Sequence, residues 1–139
     1  MSFKKNKYAI IKSAISKDLA TFCMNYLLMK KQVYDTCVAE RYLSPFENIM
    51  GFYEDKEQQI PDTYCCYSDI VMETLLLKCQ PIMEKVTGIK LNPSYSYTRV
   101  YKKGDVLKRH KDRFSCEIST TMNLGGDPWP IYLNPDPKA

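Results

Sequence analysis

The spacing of apolar residues changes after Gly88, and this change limits the folds available to the chain. Two segments before Gly88 repeat apolar residues every three or four positions, the period of a helix packed on one side. In residues 94–101 the character of the side chains instead alternates from one residue to the next, which is the period of a strand with two different faces. At 139 residues the chain can form one domain with a core, but not two of ordinary size. We predict a single α+β domain over residues 1–139, mainly helical in 1–90 and β-rich in 91–139.

The N-terminal part predicts a short strand followed by a helix. Residues 8–12, YAIIK, have the composition of a short first strand. Ser16 then offers an N-cap, and Asp18 lies in the first turn, where the helix dipole favours a carboxylate. Helical spacing predicts that this helix ends near residues 30–31. Residues 35–67 show no clear period, so we expect mostly loop and short turns there.

A second helix is predicted after the sequence YSDI. Gly88 is placed to end it in the left-handed conformation. Pro81 lies inside the segment, so the helix should kink or restart at that position. The apolar residues with helical spacing are Val71, Leu75, Cys79, Ile82, Met83 and Val86.

The last third of the chain predicts several strands. Residues 94–101 should form a long strand, and core packing is the expected role of Tyr95 and Tyr97. A turn at Gly104 follows, and further strands are expected at residues 106–112, 116–124 and 131–133. On the long strand, one face should carry Tyr95, Tyr97, Arg99 and Tyr101.

Composition and cysteine usage indicate a globular protein of the cytoplasm. The hydrophobic share is 45% and the charged share 26%, which fits neither a disordered nor a membrane-spanning chain. No apolar run is long enough for a bilayer span, and polar residues interrupt the N-terminal segment before a secretory signal could form. We therefore expect no membrane partner, and we expect most of the six cysteines to be buried free thiols. No Cys-x-x-Cys pair occurs, so a structural zinc site is not expected.

Basic residues crowd around the only histidine of the chain, His110. The formal net charge is +4, and a local cluster of this kind would attract an anion such as a dicarboxylate or phosphate. A solvated loop surface is the alternative, and charge alone favours it. Nucleic acid is not a favoured partner, because the charge is modest and no nucleic-acid-binding motif accompanies it. The cluster consists of Lys102, Lys103, Lys108, Arg109, Lys111 and Arg113.

His110 and Asp112 are the candidate metal ligands. In a strand, every second side chain points to the same face, so this spacing allows both groups to contact one ion. Imidazole and carboxylate together suit a divalent metal such as Fe(II). The alternative is a surface imidazole in a basic loop.

The residues around this pair have an order that is similar to a known enzyme family. The stretch RVYKKGDVLKRHKDRFSCEISTTMNL contains an aromatic strand, a Gly-Asp turn, His-x-Asp and a Ser/Thr-rich strand. It resembles the iron(II)- and 2-oxoglutarate-dependent dioxygenases, in the branch that includes prolyl hydroxylases and the alkylation-repair dioxygenases. The preceding MEKVTGIKLNPSYSYTRVY is similar, less specifically, to the helix and strand that lead into that family's core.

The resemblance implies both a fold and a site. The fold would be an incomplete double-stranded β-helix, a jelly-roll or cupin-like arrangement, with the N-terminal helices packed on it. His110 and Asp112 would be two of the three Fe(II) ligands, and Tyr101 would donate a hydrogen bond to the distal carboxylate of the cosubstrate 2-oxoglutarate. Arg99 would help to hold cosubstrate or substrate, and a structural salt bridge is the alternative role for it.

In that family, a later histidine completes the metal site and a following Arg or Lys binds the cosubstrate carboxylate. This sequence contains no second histidine, so the resemblance implies an incomplete site and a truncated reading frame or fragment. Strands left without neighbours expose hydrogen-bonding edges, so we expect a homo-oligomer joined through them. Whether the chain is itself an enzyme stays open.

Two other functions stay open from the sequence. One is a non-catalytic binding or assembly module on the same scaffold, and the other is a structural protein in which His-x-Asp is accidental. The substrate, a small molecule or a peptidyl group, is not specified. Arg113 and Trp129 are candidates for the edge of a pocket, with surface exposure and core packing as their respective alternatives.

Overall fold

The computed structural model describes residues 2–44, 46–136 and 138. These residues contain three helices and one three-stranded antiparallel sheet, so the α+β class is confirmed. The helices are α1 (Phe3–Asn6), α2 (Lys17–Ala39) and α3 (Ile70–Thr87). The strands are β1 (Phe52–Tyr53), β2 (Tyr64–Tyr67) and β3 (Tyr97–Val100), and their order in the sheet is β1-β2-β3.

Helix α2 begins where its capping residue predicts and ends later than predicted. The Ser16 side chain accepts a hydrogen bond from the backbone N–H of Leu19 at 3.1 Å. The helix then runs for 23 residues to Ala39, well past residues 30–31. Two features favour the extension: Tyr34 continues the buried face, and Lys31 pairs with Asp35 one turn away at 2.8 Å.

Helix α3 has side-chain and glycine caps at its two ends. The Asp69 carboxylate accepts hydrogen bonds from the N–H groups of Val71 and Met72, at 2.9 and 3.2 Å. Gly88 ends the helix with a φ of +71°, as its position predicts. The helix continues through Pro81 instead of restarting there.

Strand β2 forms the centre of the sheet, in a segment for which the sequence predicted mainly loop. Its neighbours are β1, with Tyr53 opposite Tyr64, and β3, with Arg99 opposite Cys65. Residues opposite each other in a ladder share a face, so Tyr53 and Tyr64 lie on one face and Cys65 and Arg99 on the other. The prediction for residues 64–67 was wrong because three of these four residues are buried, which removes the alternation expected of a half-exposed strand.

The hydrophobic core lies between α2 and the first of these faces. Three tyrosines, Tyr34, Tyr53 and Tyr64, approach one another with ring centroids 5.6–5.9 Å apart. The Tyr64 hydroxyl donates to the carbonyl oxygen of Met50, so its polar end is satisfied inside the core. The buried residues of this cluster are Cys23, Leu27, Tyr34, Tyr64, Cys66 and Met72.

Several predicted strands are not formed among the described residues. Residues 8–12, 106–112, 116–124 and 131–133 have no strand assignment, and residues 94–96 precede β3 without joining it. An apolar alternation becomes a strand only when a neighbouring strand takes up its hydrogen bonds, and in the described chain β3 pairs with β2 alone. Strand pairing therefore ends at Val100, before the His110 segment begins.

Two further findings concern the cysteines and the helices. All six cysteines are free, and four of them are buried, as expected. None of the helices in the described part of the chain combines the length and apolar character that crossing a bilayer requires.

Candidate metal and cosubstrate site

A tight turn connects β3 to the segment that carries His110. The Asp105 carboxylate accepts hydrogen bonds from both the backbone N–H and the Nζ of Lys102, each at 2.8 Å. The Asp105 N–H donates back to the Lys102 carbonyl oxygen at 3.1 Å, and Gly104 supplies the positive φ of +93° in between. This turn fixes the direction in which residues 106–112 leave the sheet.

His110 and Asp112 lie beside each other on the surface after this turn. The Nε2 atom of His110 is 3.6 Å from Oδ1 of Asp112, and their side chains are 39% and 52% exposed. The Nδ1 atom of His110 lies 2.8 Å from the carbonyl oxygen of Lys108. A carbonyl oxygen only accepts, so this contact is a hydrogen bond when Nδ1 carries the ring proton. In that tautomer Nε2 carries no proton and can bind a metal ion.

This arrangement fits two ligands of one divalent ion. With metal–ligand distances of about 2.1 Å, two adjacent ligands are about 3.0–3.4 Å apart for octahedral to tetrahedral angles. The observed separation of 3.6 Å needs only a small rotation of either side chain to reach that range. A backbone carbonyl that holds the second ring nitrogen is the usual support for a histidine ligand. Within the described residues, no group of three His, Cys, Asp or Glu side chains is close enough to hold a metal.

Arg99 occupies the face of the sheet that is turned away from α2, where it forms a buried ion pair with Glu54. Its Nη2 atom lies 2.6 Å from Oε1 of Glu54, with the two side chains 8% and 7% exposed. Arg99 also donates to the side-chain oxygen of Gln59 at 3.1 Å. Glu54 further accepts from the Tyr97 hydroxyl at 2.7 Å and from the Ile60 N–H at 2.8 Å. The carboxylate is thus satisfied by protein groups on both oxygens.

The contacts of this cluster set its ionisation state. Burial disfavours the charged form of Glu54, but the hydrogen bonds from Tyr97, Ile60 and Arg99 outweigh it, and the pKa of Glu54 lies below its ordinary value. Burial acts against the Arg99 cation as well, yet contacts with Tyr101, Cys65 and Glu54 raise its pKa. The pair is therefore ionised at neutral pH, inside the fold.

The Arg99 contacts decide what this residue can bind. Its two terminal nitrogens are engaged by Glu54 and Gln59, and only the buried Nε has no hydrogen-bond partner among the described atoms. The structure therefore shows Arg99 in a structural salt bridge, which was the alternative role considered for it from the sequence. Sequence reasoning missed Glu54 altogether, because it lies in the acidic stretch YEDKEQQ, which has the pattern of a solvated loop.

Tyr101 lies next to Arg99 and against the chain's only tryptophan. Its ring packs edge-on against Trp129, with centroids 4.1 Å apart, and the Arg99 guanidinium carbon is 5.7 Å from the Tyr101 centroid. Both aromatic residues are partly exposed. The structure thus brings together Arg99 and Tyr101, and separately His110 and Asp112.

The remaining candidates lie around the same face of the sheet. Tyr95 stacks on Tyr67 at 4.9 Å, the Arg113 guanidinium is 5.9 Å from the Tyr95 centroid, and the Cys116 thiol donates to the Tyr95 hydroxyl at 3.4 Å. Arg113 is exposed and Trp129 is partly exposed. Neither lines the surface depression of about 470 Å³ that lies between the start of α2 and residues 123–126.

Comparisons with known proteins found no relative of this chain. No protein-family model, curated protein or solved structure matches the chain.

Proposed function

We propose that this chain supplies part of the reaction centre of an iron(II)- and 2-oxoglutarate-dependent oxygenase. The observation that carries the proposal is the pairing of His110 with Asp112: an Nε2 atom and a carboxylate oxygen 3.6 Å apart, on the surface, with Nδ1 held by the Lys108 carbonyl. Their order after an aromatic strand and a Gly-Asp turn is that of the family the sequence resembles. A double-stranded β-helix is the fold proposed with this function.

Each residue has a stated task in this proposal. His110 and Asp112 hold the metal, and the Lys108 carbonyl keeps the imidazole oriented. Tyr101 donates its hydroxyl hydrogen to the cosubstrate carboxylate from its position on Trp129. Arg99 is paired with Glu54, and in this proposal it fixes the strand that leads to Tyr101. When bound, iron with 2-oxoglutarate supplies the oxidation of an unreactive C–H bond.

The small number of protein ligands and the exposure of the site limit the expected metal affinity and turnover. A divalent ion held by one imidazole and one carboxylate keeps several coordination positions for water or cosubstrate. Its affinity is lower than that of a site with three protein ligands, so we expect weak binding and slow turnover from this chain alone. A cytoplasmic location belongs to the proposal, because free thiols persist where the environment is reducing.

The test uses the fact that His110 is the only histidine. Its imidazole C–H signals in a proton NMR spectrum are therefore assigned without ambiguity, provided that the purification tag is removed. Titration with Mn²⁺, a paramagnetic substitute for Fe²⁺ that does not oxidise readily, should broaden these signals at low metal-to-protein ratios. Asp112→Asn should raise the Mn²⁺ concentration needed by about tenfold or more, since it removes the anionic ligand.

A matched control and a second readout complete the test. Asp127→Asn, which changes another exposed aspartate, should leave the titration unchanged. With Co²⁺ present, 2-oxoglutarate should change the fluorescence of Trp129, and Tyr101→Phe should weaken that response. If the His110 signals broaden equally in the wild-type, Asp112→Asn and Asp127→Asn proteins, the metal is not held by this pair and the proposal fails.

A further inference from the structure

One short segment of this protein carries a dense cluster of positive charge. Residues 102–113, which we name the basic segment, contain six Lys or Arg and two Asp, a net charge of +4. The whole chain has 20 basic and 16 acidic residues, so the remainder contains fourteen of each and is neutral overall. This local net charge of +4 lies in the twelve residues that also carry His110 and Asp112, and a second run of basic residues, 4–17, has five lysines and no acidic residue.

The structure leaves most of this charge on the surface. Lys103, Lys108, Arg109 and Arg113 are exposed, whereas Lys102 is paired with Asp105 at 2.8 Å. Phe114 follows immediately and is 97% exposed, so an apolar ring lies at the end of the row of cations. An exposed aromatic next to spaced cations favours a partner that carries both charged and apolar groups.

The length of the row of exposed cations favours an extended partner over a small molecule. A dicarboxylate can contact two or three cations at once, whereas these side chains are distributed along eleven residues. An acidic peptide lying along the segment can meet several of them and place an apolar residue against Phe114. The two carboxylates inside the row, Asp105 and Asp112, disfavour the unbroken phosphates of a nucleic acid.

We propose that the basic segment is the docking surface for an acidic peptide, and that this docking delivers a substrate residue to His110 and Asp112. The first part concerns binding alone, and the second part rests on the proposed function. The substrate class is therefore a side chain within an acidic stretch of polypeptide. Electrostatic attraction of this kind acts mainly on the rate and specificity of encounter, and it is weakened by salt.

The test measures binding of a fluorescein-labelled peptide of alternating Glu and Ala by fluorescence anisotropy. Lys108→Glu/Arg109→Glu should weaken binding at low salt by about tenfold or more. The control, Lys12→Glu/Lys78→Glu, makes the same change in net charge at exposed positions outside the segment, and it should alter the affinity by less than about twofold. If the charge-reversed protein does not fold, Lys103→Gln/Arg109→Gln provides a milder loss of charge.

Three outcomes would overturn the inference. Equal weakening by both double substitutions would show a general effect of net charge. Tighter binding of a single-stranded oligonucleotide than of the peptide would assign the surface to nucleic acid. Binding that requires Mn²⁺ would mean that the peptide carboxylates bind the metal and not the basic segment. Peptide binding measured in the presence of EDTA should be unchanged, so failure of metal binding can be told apart from failure of docking.

Discussion

Arg99 and Glu54 are 45 residues apart in sequence, and their charged groups meet at 2.6 Å in the interior of the protein. The pair joins β3 to the loop that follows β1. That loop, which connects β1 to β2, is closed at its base by two backbone bonds, from Glu54 N–H to Thr63 and from Asp62 N–H to Glu54. The ion pair therefore attaches this loop to the strand that leads to Tyr101.

Replacing Arg99 by methionine should destabilise the protein strongly. Glu54 would then keep a buried carboxylate without its cation, a change that costs about 3–5 kcal/mol in the free energy of unfolding. The double variant Glu54→Leu/Arg99→Met removes both charges and should recover part of the loss. Urea unfolding measures both. Arg109→Met, at an exposed position, should stay within about 0.5 kcal/mol of wild type, and a similarly small effect of Arg99→Met would contradict the buried pair.

Stability should fall in acid because of Glu54 and Asp69. Burial works against ionisation of Asp69, but hydrogen bonds from Lys30, Tyr26 and the Met72 N–H prevail, so the pKa values of both carboxyls are lowered. The unfolded chain therefore binds more protons near and below the ordinary values of 4.5 for Glu and 3.8 for Asp. The stabilisation is complete above these values and is lost as the pH falls through the lower values of the folded state.

The measurement for this prediction is the urea midpoint between neutral and acidic pH. Glu54→Gln should make the decline with acid shallower than in the wild-type protein, because one of the two linked groups no longer titrates. Glu57→Gln, at an exposed position, serves as the control and should keep the wild-type slope. Identical slopes in all three proteins would show that Glu54 contributes nothing to the acid sensitivity.

Two glycines with nearly the same backbone conformation should respond differently to alanine. Gly51 has a φ of +97° and Gly104 a φ of +93°, so both substitutions strain the backbone. A Cβ at Gly51 would overlap the buried ring of Tyr64, whereas a Cβ at Gly104 meets no atom within 4 Å. Gly51→Ala should therefore cost about 1–3 kcal/mol more than Gly104→Ala in thermal or urea unfolding. Equal costs would mean that Tyr64 does not pack against Gly51.

The six thiols should react in two groups. Cys37 and Cys116 are partly exposed, whereas burial raises the pKa of the Cys23, Cys65, Cys66 and Cys79 thiols. With Ellman's reagent, the folded protein should show two fast thiols and four that react only as the protein opens. The variant Cys37→Ser/Cys116→Ser should lose the fast phase, and a fast phase that survives this change would contradict the burial of the others.

Sequence reasoning succeeded where the determining contacts are local. The N-cap at Ser16 and the C-cap at Gly88 depend on residues within one helical turn, and both were predicted. The contact between His110 and Asp112 is also local, but it forms in a segment without strand structure, and its role as a metal site stays a prediction. Strand β2 pairs with residues of β3 that are 30 to 36 positions away, and the Glu54–Arg99 pair joins residues 45 positions apart, separations over which a single sequence contains no signal. The predictions of strands after residue 101 were wrong for the same reason, because the alternation of side chains does not show which strand, if any, would pair with them.

The concentration of charge in one segment also affects how the protein can be handled. Residues 102–113, with a net charge of +4, are attracted to any negatively charged matrix. Adsorption through this segment to a cation-exchange resin, a carboxylated sensor surface or mica would therefore cover His110 and Asp112. Immobilisation through a thiol or a terminal tag, at a position away from this segment, is the geometry that keeps the candidate site accessible.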